Sequence, residues 1–205
     1  MEEIVIEATK RVKKIMFVFH DYGSEPNDIL TVGELFSSKF KDVEIHVPKA
    51  LEECENEEGG YQWFSIAGDT AEEKVMALRN CEEAIKSYID EILAAKGLVY
   101  KNVILAGFFQ GAMLAIDLGL KLGVNSIISF AGILLDQETR PSSPNTRLLM
   151  VHARQDDIIP LNVMLSSINV LRQNGLGVCM AISEEAEHAK INAEMVSAAI
   201  QFLKV

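Results

Sequence analysis

The chain has 205 residues, of which 49% are hydrophobic and 24% charged, and its formal net charge is −11. This balance is typical of a globular protein with a core of ordinary size, and we predict a single domain over residues 1–205. A strongly acidic surface repels phosphate backbones and anionic lipid, so nucleic acid is not an expected partner.

Cysteine usage and apolar run lengths indicate the compartment. The three cysteines, Cys54, Cys81 and Cys179, are odd in number and widely spaced, without a metal-ligand pattern. We therefore expect no disulfide framework, no metal and no cofactor. No apolar run approaches the roughly 18 residues of a membrane span, and no secretory leader is evident. The sequence predicts a cytoplasmic protein with reduced thiols, in which Cys179 is a buried, inert strand residue rather than a nucleophile.

Short apolar runs alternate with longer stretches of helical periodicity along the chain. In chain order, the predicted strands cover residues 15–19, 44–48, 103–106, 126–130, 148–152 and 178–182. The predicted helices cover residues 29–40, 70–95, 112–122, 161–174 and 193–203. Asp69 or Thr70 can cap the start of the long second helix. The alternation predicts an α/β fold with a doubly wound, mostly parallel sheet and helices on both faces.

A glycine pair marks the junction between the strand at 103–106 and the helix at 112–122. The junction reads Gly107-Phe108-Phe109-Gln110-Gly111. In a nucleophile elbow the middle residue stands on a sharp, strained turn, and flanking glycines let strand and helix approach closely. The spacing of the two glycines is weak evidence by itself, but its position between a strand and a helix favours a nucleophile elbow. The middle residue here is Phe109, whose side chain has no nucleophilic atom.

Four ordered segments carry a resemblance to a known family. The stretch from Ala106 to Ala115 resembles the elbow of the phospholipase/carboxylesterase family of α/β-hydrolases, which includes the acyl-protein thioesterases and has Gly-Phe-Ser-Gln-Gly there. The further matching segments are His20-Asp21-Tyr22-Gly23, residues 152–160 and Glu187-His188. The resemblance runs from about Lys14 to Leu203 and implies an α/β-hydrolase fold.

The resemblance implies a catalytic role for three positions. Phe109 stands at the nucleophile position, Asp156 at the triad acid and His188 at the triad base. This chain order is the one expected for the fold. Since a phenylalanine cannot form an acyl-enzyme ester, the family mechanism is expected to be impaired. Asp156 and His188 either retain a chemical role or persist because they anchor two loops.

The resemblance also implies binding roles. The backbone of Tyr22, Gly23 and Gln110 would form the oxyanion site, and Trp63 and Phe64 either cap a substrate groove or fill the core. Two supporting glycines of the family are replaced, and this leaves open whether the oxyanion turn keeps its shape. The replacements are Asp21, after His20, and Ala153, after His152. His20 and His152 are expected to brace these turns rather than to react.

Two functions remain open at this stage. The first is a pseudo-hydrolase that binds a small acyl or ester-like ligand or a protein partner. The alternative is an active ester or thioester hydrolase in which His188 and Asp156 activate water. The resemblance also allows a homodimer, with Met164 and Leu165 as a candidate contact. Because the elbow strain serves no catalysis here, the sequence leaves open whether the turn at Phe109 has relaxed.

Overall fold

The computed structural model describes residues 1–184 and 190–204. The strands are β1 (Glu3–Ile6), β2 (Lys14–Phe19), β3 (Val43–Pro48), β4 (Glu52–Glu53), β5 (Tyr61–Gln62), β6 (Val103–Phe108), β7 (Ser126–Phe130), β8 (Arg147–Ala153) and β9 (Val178–Ser183). The helices are α1 (Pro26–Lys39), α2 (Ala71–Lys96), α3 (Gln110–Leu122), α4 (Leu161–Gln173) and α5 (Ala193–Lys204).

Seven of these strands form one sheet in the order β1-β3-β2-β6-β7-β8-β9, while β4 and β5 form a separate two-stranded ribbon. All neighbouring pairs of the large sheet are parallel except β1 with β3. After β2 the chain adds β3 on one side, and it later adds β6 on the other. The predicted mostly parallel α/β sheet is confirmed, and β2 and β6 flank its topological switch point.

Two apolar cores cover the two faces of the sheet. Strand β2 divides its side chains between them, with Phe17 and Phe19 on one side and Met16 and Val18 on the other. Helices α2, α3 and α4 pack on the first face, and α1 and α5 on the second. Because both faces are buried, the central strands are continuous apolar runs. This is why the sequence predicted them well.

The predicted boundaries differ from the structure mainly at two places. Strand β1 was not predicted, because it is only four residues long and its first residue is a glutamate rather than an apolar residue. It is fixed by tertiary contacts, since the two ring nitrogens of His46 in β3 lie within hydrogen-bond distance of the Glu3 and Glu44 carboxylates. Strand β6 continues past residue 106 because Gly107 and Phe108 pair with the end of β7. The elbow turn is therefore shorter than predicted.

The structure corrects the predicted burial of Met164 and Cys179 and leaves the predicted homodimer untested. Met164 is fully buried, so it cannot form the predicted dimer contact, whereas the side chain of Leu165 is 37% exposed. Cys179 is exposed on the edge strand β9 rather than buried. Two consecutive residues of this edge strand, Cys179 and Met180, are exposed, which the apolar run did not reveal. A homodimer stays a prediction.

Among helices in the described ranges, none is sufficiently long and apolar to cross a membrane.

Candidate active site

The candidate site lies where β2 and β6 end at the switch point of the sheet. The turn that starts at His20 follows β2, and the elbow follows β6. The loop that contains Asp156 follows β8 at the same carboxyl edge of the sheet. Clefts at this edge, next to a switch point, are where open α/β sheets bind their ligands. Three segments that are distant in sequence are thus brought to one edge.

The elbow has a strained backbone at Phe109. Phe109 has φ 43° and ψ −104°, a region that side-chain-bearing residues rarely adopt. The turn is over-determined by hydrogen bonds, since Phe109 N–H donates to Phe130 O at 2.9 Å and Phe109 O accepts from Met113 N–H at 3.0 Å. The turn has therefore not relaxed. Such strain costs about 1–3 kcal/mol and persists only where the surroundings impose it.

The two elbow glycines are required by close backbone approach. A Cβ on Gly107 would lie 2.3 Å from the carbonyl carbon of Gly111. A Cβ on Gly111 would lie 2.4 Å from the carbonyl oxygens of both Phe19 and His20. The first turn of α3 therefore packs directly on the end of β2. This contact sets the elbow beside the His20 turn.

Gln110 is buried and ties the elbow to the aromatic segment. Its Oε1 accepts from Trp63 N–H at 2.8 Å, and its Nε2 donates to Phe64 O at 2.7 Å. The indole of Trp63 donates to His20 O at 2.8 Å. Trp63 and Phe64 are 1% and 2% exposed and belong to a core cluster. The structure favours the core-filling alternative for both aromatic residues, which brace the elbow and the β2 turn.

His20 braces its own turn as a neutral imidazole. Its Nδ1–H donates to Asp21 O at 2.7 Å, and its Nε2 accepts from Ala50 N–H at 3.0 Å. Burial lowers the pKa of His20 to about 4, because the charged form loses its hydration. With one ring nitrogen donating and the other accepting, the imidazole is locked in a single tautomer. His20 is thus a structural histidine.

The remainder of this turn carries the residues expected to form the oxyanion site. The Tyr22 N–H donates to the carboxylate Oδ1 of its neighbour Asp21 at 2.5 Å. Gly23 has φ 69° and donates its N–H to Tyr61 O at 2.9 Å. Opposite it, a Cβ on Gly60 would lie 2.1 Å from Gly23 O. Ribbon β4–β5 therefore clamps the turn from outside.

The Asp156 loop is organised around its carboxylate. Asp156 Oδ1 accepts the backbone N–H of Ile158 at 3.0 Å and of Ile159 at 2.7 Å. His152 Nε2–H donates to Ile159 O at 2.8 Å and lies 3.5 Å from Asp156 Oδ2. His152 is fully buried and Asp156 nearly so. These bonds hold the loop that contains Asp156, and His152 ties the end of β8 to this loop, as expected of a strand-end brace.

The predicted triad base, His188, lies outside the described residues, so the structure does not place it relative to Phe109 or Asp156. Within the described ranges, no group of three His, Cys, Asp or Glu side chains is arranged to hold a metal ion.

A cleft of about 740 Å³ opens beside the elbow, on the face of the sheet that α1 and α5 cover. It reaches Phe108, the residue before the nucleophile position, and the turn at Asp21. Apolar side chains such as Val32 of α1 and Val196 of α5 line it. Trp63 and Phe64 are absent from its described lining. The cleft is wide enough for a small ligand with an apolar part.

The sequence did not point to the cleft walls. Val32 and Val196 occupy apolar positions that helical periodicity assigns to a core face. Only the spacing between α1 and α5 leaves a gap there, and that spacing has no local signal. The exposed carboxylates of Asp28 and Asp157 also line the cleft, and no sequence motif marks either of them.

Known proteins resemble the chain over its whole length. The Escherichia coli K12 protein "Esterase YpfH" is 24% identical over 197 residues, which are 94% of this chain and 83% of the relative. The crystal structure of esterase PE8 superposes with a TM-score of 0.89 at 25% identity, over 98% of this chain and 96% of that one. The Bacillus cereus carboxylesterase gives a TM-score of 0.83 at 14% identity, over 100% and 94% of the two chains.

The family model for Phospholipase/Carboxylesterase matches residues 1–205. The chain belongs to the phospholipase/carboxylesterase family of α/β-hydrolases.

Proposed function

We propose that this chain is a pseudo-hydrolase, which binds a small acyl or ester-like ligand in the cleft between α1 and α5 but does not form an acyl-enzyme. The observation that carries the proposal is the phenylalanine at the elbow. Phe109 has the strained backbone of a nucleophile position, with φ 43° and ψ −104°, but a side chain without a nucleophilic atom.

The cost of this replacement is large. Removing the nucleophile of a serine triad lowers kcat on the order of 10⁶-fold, and what remains comes from oxyanion stabilisation and binding. The benzyl group of Phe109 packs partly against the core cluster on the α3 side of the sheet. It thus fills space at the elbow that a serine would leave open.

The cleft supports the binding half of the proposal. Its volume of about 740 Å³ lies within the range of small-molecule sites, and its lining combines apolar walls with a few polar groups. An acyl chain would lie along the α1 and α5 walls, with its carbonyl end toward Phe108. We place the protein in the cytoplasm, which its free cysteines Cys54, Cys81 and Cys179 favour.

The proposal is tested by assaying the purified chain with p-nitrophenyl esters, with acyl thioesters and with a fluorophosphonate probe of serine hydrolases. We expect no turnover above the buffer rate and no covalent labelling. His188→Ala is the matched control, since it removes the remaining base. Turnover that disappears in His188→Ala, with or without labelling, would overturn the proposal in favour of a working hydrolase.

Ligand binding is measured separately by tryptophan fluorescence. The single tryptophan, Trp63, bonds to the His20 carbonyl directly behind the β2 turn, so it reports changes there. Titration with decanoate and with its methyl ester is expected to change the emission in the wild type. Val32→Glu would place a charge in the cleft wall and abolish the change. An unchanged titration in Val32→Glu would contradict binding in this cleft.

A further inference from the structure

The hydrogen bond between Asp21 and Tyr22 has a consequence for the oxyanion site of this family fold. The inference rests on the proposed function and on the expectation that the backbone of Tyr22, Gly23 and Gln110 would form the oxyanion site. Because the Gly23 N–H donates to Tyr61 O, the N–H groups of Tyr22 and Gln110 are the two candidate donors. Gln110 begins α3, so its N–H has no acceptor within the helix and is one of the four that can bind an anion. Gly111 packs on the carbonyls of Phe19 and His20, which brings this helix start beside the β2 turn.

The second donor is already engaged inside the protein. The Asp21 carboxylate accepts the Tyr22 N–H at 2.5 Å, a charge-assisted contact of the kind an oxyanion would make. A negatively charged oxygen of Asp21 is therefore already hydrogen-bonded to the Tyr22 N–H, one of the two donors. It consumes the N–H and also repels a second negative charge that develops nearby.

Backbone geometry does not explain an aspartate at this position. The positive-φ residues other than glycine in the described chain are Phe109 and Ala131, so Asp21 sits in ordinary backbone. Replacing Asp21 with glycine removes the carboxylate at a position that does not require positive φ. The His20 ring would still donate to the carbonyl of residue 21, since that bond uses only the backbone.

We propose that Asp21 is a second block on hydrolysis, independent of Phe109: an internal carboxylate that occupies the Tyr22 N–H of the oxyanion site. Phe109 removes the nucleophile, whereas Asp21 removes part of the stabilisation that any nucleophile would need. Restoring a serine at the elbow is then insufficient to restore the family's rate. The alternative is that Asp21 only stabilises its turn.

Four proteins separate these alternatives: the wild type, Phe109→Ser, Asp21→Gly and the double variant. We measure kcat and KM for p-nitrophenyl butyrate, and the rate of fluorophosphonate labelling of the introduced serine. Loss of one oxyanion donor costs about 10²–10³-fold in kcat. The double variant is therefore expected to exceed Phe109→Ser by at least about 100-fold in kcat, with little change in KM. Asp21→Gly alone stays inactive.

Two further variants on the Phe109→Ser background sharpen the result. Asp21→Asn keeps an oxygen that can accept the Tyr22 N–H but removes its charge, so an intermediate kcat is expected. Asp42→Asn is the matched control, because Asp42 precedes β3 at the opposite edge of the sheet and pairs with Lys13. It should leave the kcat of Phe109→Ser unchanged. The Asn variant also serves if the glycine variant does not fold.

Equal kcat values for Phe109→Ser and the double variant would overturn the Asp21 proposal, whether both are active or both inactive while folded by circular dichroism. An increase with Asp42→Asn as large as that with Asp21→Asn would overturn it as well, since general charge would then be the cause. Failure of the proposed function would be recognised by a different result, namely turnover by the wild-type chain.

Discussion

The two halves of the candidate site hold their shape by different means. The elbow half comprises residues 20–23 and 107–111, and the acid half comprises residues 152–160. In the elbow half, glycines and backbone bonds shape the turn at residue 109, and the side chain of this residue takes no part in the two bonds that fix its backbone. The side chains of His20 and Gln110 brace the turn from its flanks. In the acid half the predicted catalytic side chain itself shapes the loop, because Asp156 accepts two backbone N–H groups, and His152 adds a bond to Ile159 O.

This difference bears on the two predicted catalytic positions that the structure describes, Phe109 and Asp156. The strained backbone of residue 109 is held by hydrogen bonds that do not depend on its side chain. Asp156 contributes structure in any case, since removing it would leave two backbone donors without their acceptor. The presence of Asp156 is therefore not by itself a sign of catalysis.

Among tests of this comparison between the elbow half and the acid half, Gly111→Ala is expected to have the largest effect. Its Cβ would lie 2.4 Å from two backbone oxygens of β2 and its following residue, which cannot rotate away. We expect a loss of about 4 kcal/mol in the free energy of unfolding, or no folded protein. Urea denaturation measures it. Gly177→Ala is the control, because nothing lies within 4 Å of its Cβ. Equal stability of the two variants would show that the elbow backbone adjusts easily.

A smaller effect is expected from protonation of His20 in the elbow half. Its pKa is about 4 in the folded chain, below the ordinary value of 6.5. As pH falls below 6.5 the unfolded chain takes up the proton first, so stability is lost from there down to about pH 4. The loss attributable to His20 is about 3 kcal/mol between pH 7 and pH 4.

Urea unfolding of the wild type and of His20→Gln, measured at both pH values, isolates this contribution. Glutamine keeps a donor and an acceptor but has no proton to gain in this range. The difference in stability between pH 7 and pH 4 should be smaller in His20→Gln by that amount. Parallel pH profiles of the two proteins would show that His20 does not titrate with a lowered pKa.

The smallest effect concerns the acid half, through Asp156→Ala. Two backbone donors would lose a charged acceptor, which costs about 2 kcal/mol. Asp157→Ala is the matched control, since this neighbour is exposed and should change stability by less than about 0.5 kcal/mol. Thermal unfolding at neutral pH compares them. If Asp156→Ala were as stable as Asp157→Ala, the structural explanation for Asp156 would be wrong.

The sequence by itself determined the architecture and the central anomaly. Buried parallel strands are written as continuous apolar runs, so β2, β6, β7 and β8 were recognisable within one or two residues of their ends. The elbow is a local pattern, so Phe109 was identified at its middle without any structure. Thr70 as the cap of α2 was equally local, and its side chain accepts the Glu73 N–H.

Only the tertiary structure decided what surrounds that anomaly. It buried Trp63, Phe64 and Met164, exposed Cys179, and left a cleft between α1 and α5. It also placed the Asp21 carboxylate on the Tyr22 N–H. Periodicity states which side of an element is apolar, but not how far the next element stands from it. Turns after strand ends take their shape from distant contacts, and these have no signature in the local sequence.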